Sequence, residues 1–293
     1  MNQAPVKLSI IIPHHKGEAL LYKCIQSLHN TSYSNYEIIV VDNNSKDQSI
    51  LKSKKEFPEI KVLSLDQNLG YAGGCNKGAL EAQGELLLFL NNDTIHENNW
   101  IEPLVDMMDN YKDIGSIQPK IKNINNKDRF DYAGGSGGFL DIFCFPFTRG
   151  RIFNSIEVDL NQYDNQLEVF WASGCAFVTR KKIFNQITFD STLFAYMEEI
   201  DYAWKLRLLG YKNYVEPKSV IYHDGGEFSS RNFFKSYYNH RNSLILFLTN
   251  HNLMFTAILL LPKTLLELIS LVRYLLLLNF SGMVAQLSSI MWI

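Results

Sequence analysis

Leu8-Ser9-Ile10-Ile11-Ile12-Pro13 and, one amphipathic segment later, Glu37-Ile38-Ile39-Val40-Val41-Asp42-Asn43-Asn44-Ser45 decide how this chain is read. Both are short apolar runs that stop at a proline or a polar cluster, as strands buried on both faces do. Between them Leu21, Cys24, Ile25 and Leu28 recur at helical spacing, which predicts a helix with one face on a sheet. Residues 61–65 and 85–90 repeat the alternation, so the expected fold is α/β, built from βαβ units with a mainly parallel, nucleotide-binding sheet. Ligands of such sheets bind beyond the carboxyl ends of the strands. The residues met there are His14-His15-Lys16, Asp42-Asn43-Asn44 and Asn91-Asn92-Asp93.

A chain of 293 residues suffices for one catalytic unit with a helical appendage. Its 28 Lys and Arg against 30 Asp and Glu are interspersed and give a net charge of −2, so no nucleic acid partner is expected. Cys24, Cys75, Cys144 and Cys175 lie far apart without a Cys-x-x-Cys pair and read as reduced thiols in a cytosolic compartment. The first run follows Met1 without a signal-peptide pattern, so the catalytic part is expected to stay on the side where it is made.

Residues 120–170 are rich in Gly, Asn and aromatics, show poor periodicity, and read as loops that shape a pocket. A helix is predicted from Glu198 to Leu209, capped by Gly210, with Ile200, Ala203, Trp204 and Leu208 as its inner face. Residues 1–250 are expected to form the catalytic domain and 251–293 a hydrophobic helical segment. In that segment Lys263, Glu267 and Arg273 interrupt runs of Leu, Ile, Met and Phe. Helices lying in or against a membrane surface are the preferred reading, and burial on the catalytic domain or in a homodimer interface is the alternative.

Several residues could carry chemistry. Asp42 ends a strand where a carboxylate can accept from a base or ribose, although Asp42-Asn43-Asn44-Ser45 also suits a plain turn. Asn68-Leu69-Gly70-Tyr71-Ala72-Gly73-Gly74 leads into a helix whose N–H groups could face an anion, or simply makes a tight turn. Asp93 with Asn91 and Asn92 stands where a hard cation and a diphosphate could meet, and His223, ahead of Asp224-Gly225-Gly226, could complete that site. Glu198, Glu199 and Asp201 crowd one helix N-terminus, more than a cap requires, which points to a catalytic base. Arg241, behind Tyr237 and Tyr238, could clamp phosphate or pack within its helix.

In this order the motifs resemble the family-2 glycosyltransferases, in particular rhamnosyltransferase-like bacterial members of the GT-A fold, over about residues 8–250. The strings that carry the resemblance are Ser9-Ile10-Ile11-Ile12-Pro13, Ile39-Val40-Val41-Asp42-Asn43-Asn44-Ser45, the glycine-rich stretch from Asn68 to Gly74, Leu90-Asn91-Asn92-Asp93, Glu198-Glu199-Ile200-Asp201 and Tyr222-His223-Asp224-Gly225-Gly226. The resemblance implies inverting sugar transfer from a nucleoside-diphosphate donor to the hydroxyl of a glycan or lipid-linked acceptor. It implies Mg²⁺ or Mn²⁺ on Asp93 and His223, and Glu199 as general base with Glu198 and Asp201 as its rivals. The donor would be held by Pro13, His15, Asp42, Asn68, Gly70, Gly74, Asn92 and Arg241. The place of work would be the cytoplasmic face of the inner membrane, in surface polysaccharide or glycan assembly. Two positions depart from the family pattern. His14-His15-Lys16 replaces an aromatic and an Asn, and Asn91 replaces the first Asp of the Asp-x-Asp metal motif. A catalytically silent sugar-nucleotide-binding subunit is the rival reading. A dinucleotide oxidoreductase is excluded, because Pro13-His14-His15 stands where Gly-x-Gly-x-x-Gly would have to follow the first strand.

Overall fold

The computed structural model describes residues 5–153, 155–225 and 233–292. Its first half runs β1 (Leu8–His14), α1 (Glu18–His29), β2 (Tyr36–Asp42), α2 (Ser49–Glu56), β3 (Lys61–Ser64), α3 (Gly70–Glu81), β4 (Leu86–Leu90), β5 (Thr94–His96), α4 (Ile101–Asn110) and β6 (Ile114–Asn123). The pocket-shaping segment is more ordered than its periodicity suggests. It carries β7 (Gly138–Leu140), β8 (Pro146–Thr148), β9 (Arg151–Ile152), β10 (Ser155–Ile156) and β11 (Leu167–Val169), strands too short to leave a period-2 signal. Then follow β12 (Ala176–Arg180), α5 (Lys181–Phe184), α6 (Glu198–Leu208), β13 (Lys212–His223), α7 (Phe233–Asn250), α8 (Leu253–Leu276) and α9 (Phe280–Trp292).

The main sheet has nine strands in the order β11-β13-β6-β12-β4-β1-β2-β3, with β5 on β13. β3, β2, β1 and β4 pair in parallel. β12 is antiparallel to both β4 and β6, which returns β6 and its parallel partner β13 to the direction of the first four. The result is the mainly parallel sheet expected. Alternate side chains divide the core: Ile10, Ile12, Leu86 and Leu88 face α1 and α4, whereas Ile11, Leu87 and Phe89 face α3, α5 and α6. Leu21, Cys24, Ile25 and Leu28 are fully buried, as their spacing predicts. All four cysteines are buried and free. Gly78 is needed in α3 because a Cβ there would come within 2.5 Å of Ile11.

One expectation about packing is corrected. In α6, Ile200 and Ala203 are buried with Tyr202 and Leu206, but Leu208 is 72% exposed. The start of the helix is wedged between sheet and α7 and is buried on more than one side, while its end projects into solvent. In the tail, α8 runs unbroken through Pro262 and Lys263, and Lys263 and Glu267 point inward. Lys263 pairs with Glu267 at 2.9 Å, lies 3.1 Å from Ser243 of α7 and sits over the Phe145 ring. Burial would raise the Glu267 carboxyl, but His240 and Lys263 hold it at about 2. Gln286 of α9 donates to the same carboxylate at 2.6 Å. The opposite face of α8 exposes Leu265, Ile269, Val272 and Leu276. By length and composition α8 could cross a membrane; here its charged stripe is docked on α7 and α9 and its apolar side faces outward.

Candidate active site

Because they share a direction, β1, β2, β4 and β13 bring His14, Asp42, Asn91-Asn92-Asp93 and His223 to one sheet edge. Asp93 and His223 meet because β5, starting at Thr94, pairs antiparallel with β13 and sets Thr94 opposite His223. His223 Nε2 lies 3.1 Å from Asp93 Oδ1, and its Nδ1 lies 3.2 Å from Oδ2 of the buried Asp131. Burial works against an imidazolium here, but Cys175, Asp93 and Asp131 outweigh it and carry His223 well above the usual imidazole range. Asp93 Oδ1 is buried and has no donor in bonding geometry among the described residues. Once His223 Nε2 gives up its proton, a bare carboxylate oxygen facing it, with the far ring nitrogen oriented by a second carboxylate, fits a divalent cation. Among the described residues no group of three or more His, Cys, Asp or Glu converges, so diphosphate oxygens and water would have to fill the remaining coordination positions.

Pro13, His15, Asn68, Gly70 and Asn92 line one cleft of about 540 Å³ together with Asp93. Asn68 Oδ1 accepts from Gly70 N–H, and Gly70 has φ +72, where a Cβ would strike Phe194 O. Gly74, expected with them at the donor, does not line the cleft; it lets α3 pack closely, with Pro13 and Asn43 3.2 Å from where a Cβ would be. Asp42 Oδ1 accepts from Ser45 N–H and so makes the turn that was its alternative reading; Asp42 does not line the cleft. Two residues that the sequence placed at strand ends without giving them a role hold this wall. Buried His14 accepts at Nδ1 from Asn92 and meets Ser49 through Nε2. Asn43 pins the glycine-rich turn, accepting from Leu69 N–H and donating to Gly70 O. Their signal was position alone, directly after a strand.

Glu198 and Glu199 stand at the start of α6. Burial, and for Glu198 also the neighbouring Glu199 charge, raises both carboxyls. Glu198 is pushed well above the carboxylate range, whereas Glu199, which also accepts backbone N–H bonds including that of Gly174, rises to about 7. Asp201 is directed elsewhere, pairing with Lys205 at 2.6 Å and accepting from Asn250, so it ties α6 to the end of α7 and lines none of these cavities. Arg241 is corrected too. Its guanidinium donates to Thr192 O, Leu193 O and Asn242 Oδ1, and it stabilises a loop where phosphate clamping was expected. In that loop Phe194, Tyr196 and Met197 all have positive φ, and Asn242 Nδ2 contacts three of its carbonyls, those of Leu193, Ala195 and Tyr196.

The cavities adjoin through shared walls. Tyr71, Asn91, Asp93 and Ala195 belong both to the first cleft and to a cavity of about 340 Å³ that also holds Glu198, Glu199 and His223. Glu199, Tyr196 and Lys235 then belong to a third cavity, of about 350 Å³, roofed by α7 and by residues of the 120–170 segment.

A mainly parallel α/β sheet with such an edge is the GT-A glycosyltransferase fold. Over 83% of this chain and 66% of theirs, Staphylococcus aureus TarS residues 1-349 superpose with a TM-score of 0.56 at 19% identity. Over 86% of this chain and 53% of theirs, GalNAc-T7 with UDP, GalNAc and Mn²⁺ superposes with a TM-score of 0.63 at 18% identity. Residues 9–188 match the family described as Glycosyl transferase family 2, and the chain belongs to that family. Among its relatives, Glycosyltransferase GlyA of Streptococcus pneumoniae is 27% identical over 189 residues, 63% of this chain and 26% of that protein. O-antigen biosynthesis protein RfbC of Myxococcus xanthus is 32% identical over 147 residues, 49% of this chain and 11% of that protein. GalNAc(5)-diNAcBac-PP-undecaprenol beta-1,3-glucosyltransferase of Campylobacter jejuni is 39% identical over 92 residues, 30% of this chain and 29% of that protein. The chain thus spans less than a third of the length of each of these relatives.

Proposed function

We propose that the protein is an inverting glycosyltransferase. It moves a hexosyl or deoxyhexosyl group from a nucleoside diphosphate to a hydroxyl of a glycan or lipid-linked acceptor, at the cytoplasmic face of the inner membrane, in surface polysaccharide or glycan assembly. The observation that carries this reading is that Glu199 lines both the cavity of Asp93 and His223 and the cavity under α7, so one carboxylate is shared by two compartments. The acceptor oxygen attacks the anomeric carbon while Glu199 takes the hydroxyl proton, and the bond to the diphosphate breaks on the opposite face. One displacement inverts the centre and requires no covalent nucleophile. A divalent cation held by Asp93 and His223 would neutralise the departing diphosphate. Two relatives support the reading by what their names state: UDP and Mn²⁺ with GalNAc-T7, and an undecaprenol-diphosphate-linked glycan for the Campylobacter protein. The test is a thermal-shift screen of nucleotide sugars with Mn²⁺ and with EDTA. A donor at a hundred times its dissociation constant adds about 2.7 kcal/mol. Responding donors should then release nucleoside diphosphate when acceptor is added; a protein that binds a donor and never turns it over is the silent subunit instead.

A further inference from the structure

The cavity under α7 does not end at the domain. Tyr132, Pro146, Arg151 and Tyr274 form a wall common to it and to a fourth cavity, of about 770 Å³, that is bounded by α8 at Ser270, Arg273 and Leu277.

 Three cations stand along this passage: Lys235 in the third cavity, Arg151 in both, and Arg273 in the fourth. Arg151 and Lys235 lie 4.0 and 5.3 Å from the Tyr132 ring. Among the described residues no carboxylate pairs with Arg151 or Arg273; the Arg151 guanidinium is hydrogen-bonded to Tyr132 and stands over its ring. The carboxylate of the fourth cavity, Asp141, is committed to its own turn, accepting from Phe143 and Phe145 N–H. The outer mouth carries exposed apolar side chains, Phe147, Ile152, Phe153 and Leu277. From Glu199 outward the passage is therefore polar, then cationic, then apolar.

We propose that Arg151, Arg273 and Lys235 form a subsite for the phosphate groups of a lipid-linked acceptor, whose hydrocarbon chain leaves past Phe153 and Leu277 along α8. The inference rests on the glycosyltransferase reading and deepens it by naming the acceptor class. A sugar hydroxyl at Glu199, phosphate at the cations and hydrocarbon at the mouth follow the order of chemistry along the passage. Burial and the nearby Arg151 charge lower the Lys235 pKa, against the pull of Asp131, so an anion entering between the two cations relieves their repulsion.

The test is binding of farnesyl diphosphate, farnesol and inorganic pyrophosphate to the full chain in detergent with EDTA, followed by calorimetry. Farnesyl diphosphate should bind at least roughly tenfold tighter than either fragment, and Arg151→Gln and Arg273→Ala should each weaken it by roughly tenfold, the loss expected for one charge-assisted contact. Arg273 is exposed, so its variant probes the site without disturbing the fold. Asp93→Asn should leave this binding unchanged. Equal binding of farnesol removes the phosphate subsite, and equal binding of pyrophosphate removes the lipid. Loss in Asp93→Asn with retention in both arginine variants moves the ligand to the donor cleft and overturns the proposal. Donor binding and turnover, measured separately on the same variants, test the transferase reading by itself.

Discussion

At the residue scale, Glu199 and Glu198 differ in environment more than in sequence position. Glu199 is half-buried against Gly174 and opens to two cavities, while Glu198 is buried, its carboxyl raised well above the carboxylate range by burial and by the Glu199 charge. Glu199→Gln is expected to lower turnover by roughly 10²–10⁴ with donor binding kept, and Glu198→Gln to do less. With its carboxyl raised to about 7, the base loses its proton-accepting form as pH falls, so kcat/KM should drop below about pH 7; a profile flat from pH 5 to 8 would exclude Glu199 as base. Asp131 acts through His223. Asp131→Asn is expected to cost roughly 10–100-fold in Mn²⁺ affinity, read directly by titration calorimetry, as loss of a partner that orients a metal-binding histidine does.

At the scale of elements, the loop ahead of α6 combines three non-glycine residues at positive φ, each costing roughly 1–3 kcal/mol, and its compensation comes from α7. Asn242→Ala removes donors from three loop carbonyls and is expected to destabilise the protein by about 2–3 kcal/mol, measured by denaturant unfolding, and to slow turnover because the loop sets Glu199. An unchanged unfolding midpoint would mean that the loop holds itself. In α8 the residues at the outer stripe, Leu265, Ile269 and Leu276, can be changed without touching the Lys263 and Glu267 network. Replacing these three by Glu should release the protein from phosphatidylglycerol-containing vesicles in a sedimentation assay while its donor thermal shift persists. This is a cleaner test than removing residues 253–293, since α9 packs on α7 and its loss would bare that helix.

At the scale of the whole molecule, four adjoining cavities lead from the glycine-rich turn at Gly70, past Asp93, His223 and Glu199, to α8. Glu199 is thus reached from the sheet edge on one side and from the side of the apolar helices on the other. An enzyme so arranged should lose transfer to a membrane-embedded acceptor, and keep donor binding, when α8 is detached from lipid by the triple substitution above.

From the sequence alone follow the α/β fold, the buried face of α1, the sheet-edge position of Asp93 and the place of Glu199 in the first turn of a helix, because burial on a strand or helix imposes a period that local residues must obey. The sequence also placed Gly210 beyond the end of α6, where φ is +85. It could not distinguish Asp42 as a turn former from Asp42 as a base reader, nor see that Arg241 and Asp201 serve packing, because each choice depends on which distant groups come within hydrogen-bond reach. Asp131, Asn43 and Asn242 lie in no periodic pattern and acquire their roles only from partners brought by β13, α3 and the loop before α6. The direction in which α8 turns its charges was likewise a tertiary decision. A helix carrying Lys263 and Glu267 among leucines is satisfied either by water or by buried partners, and only the docking of α7 and α9 supplies the partners that send its apolar face outward.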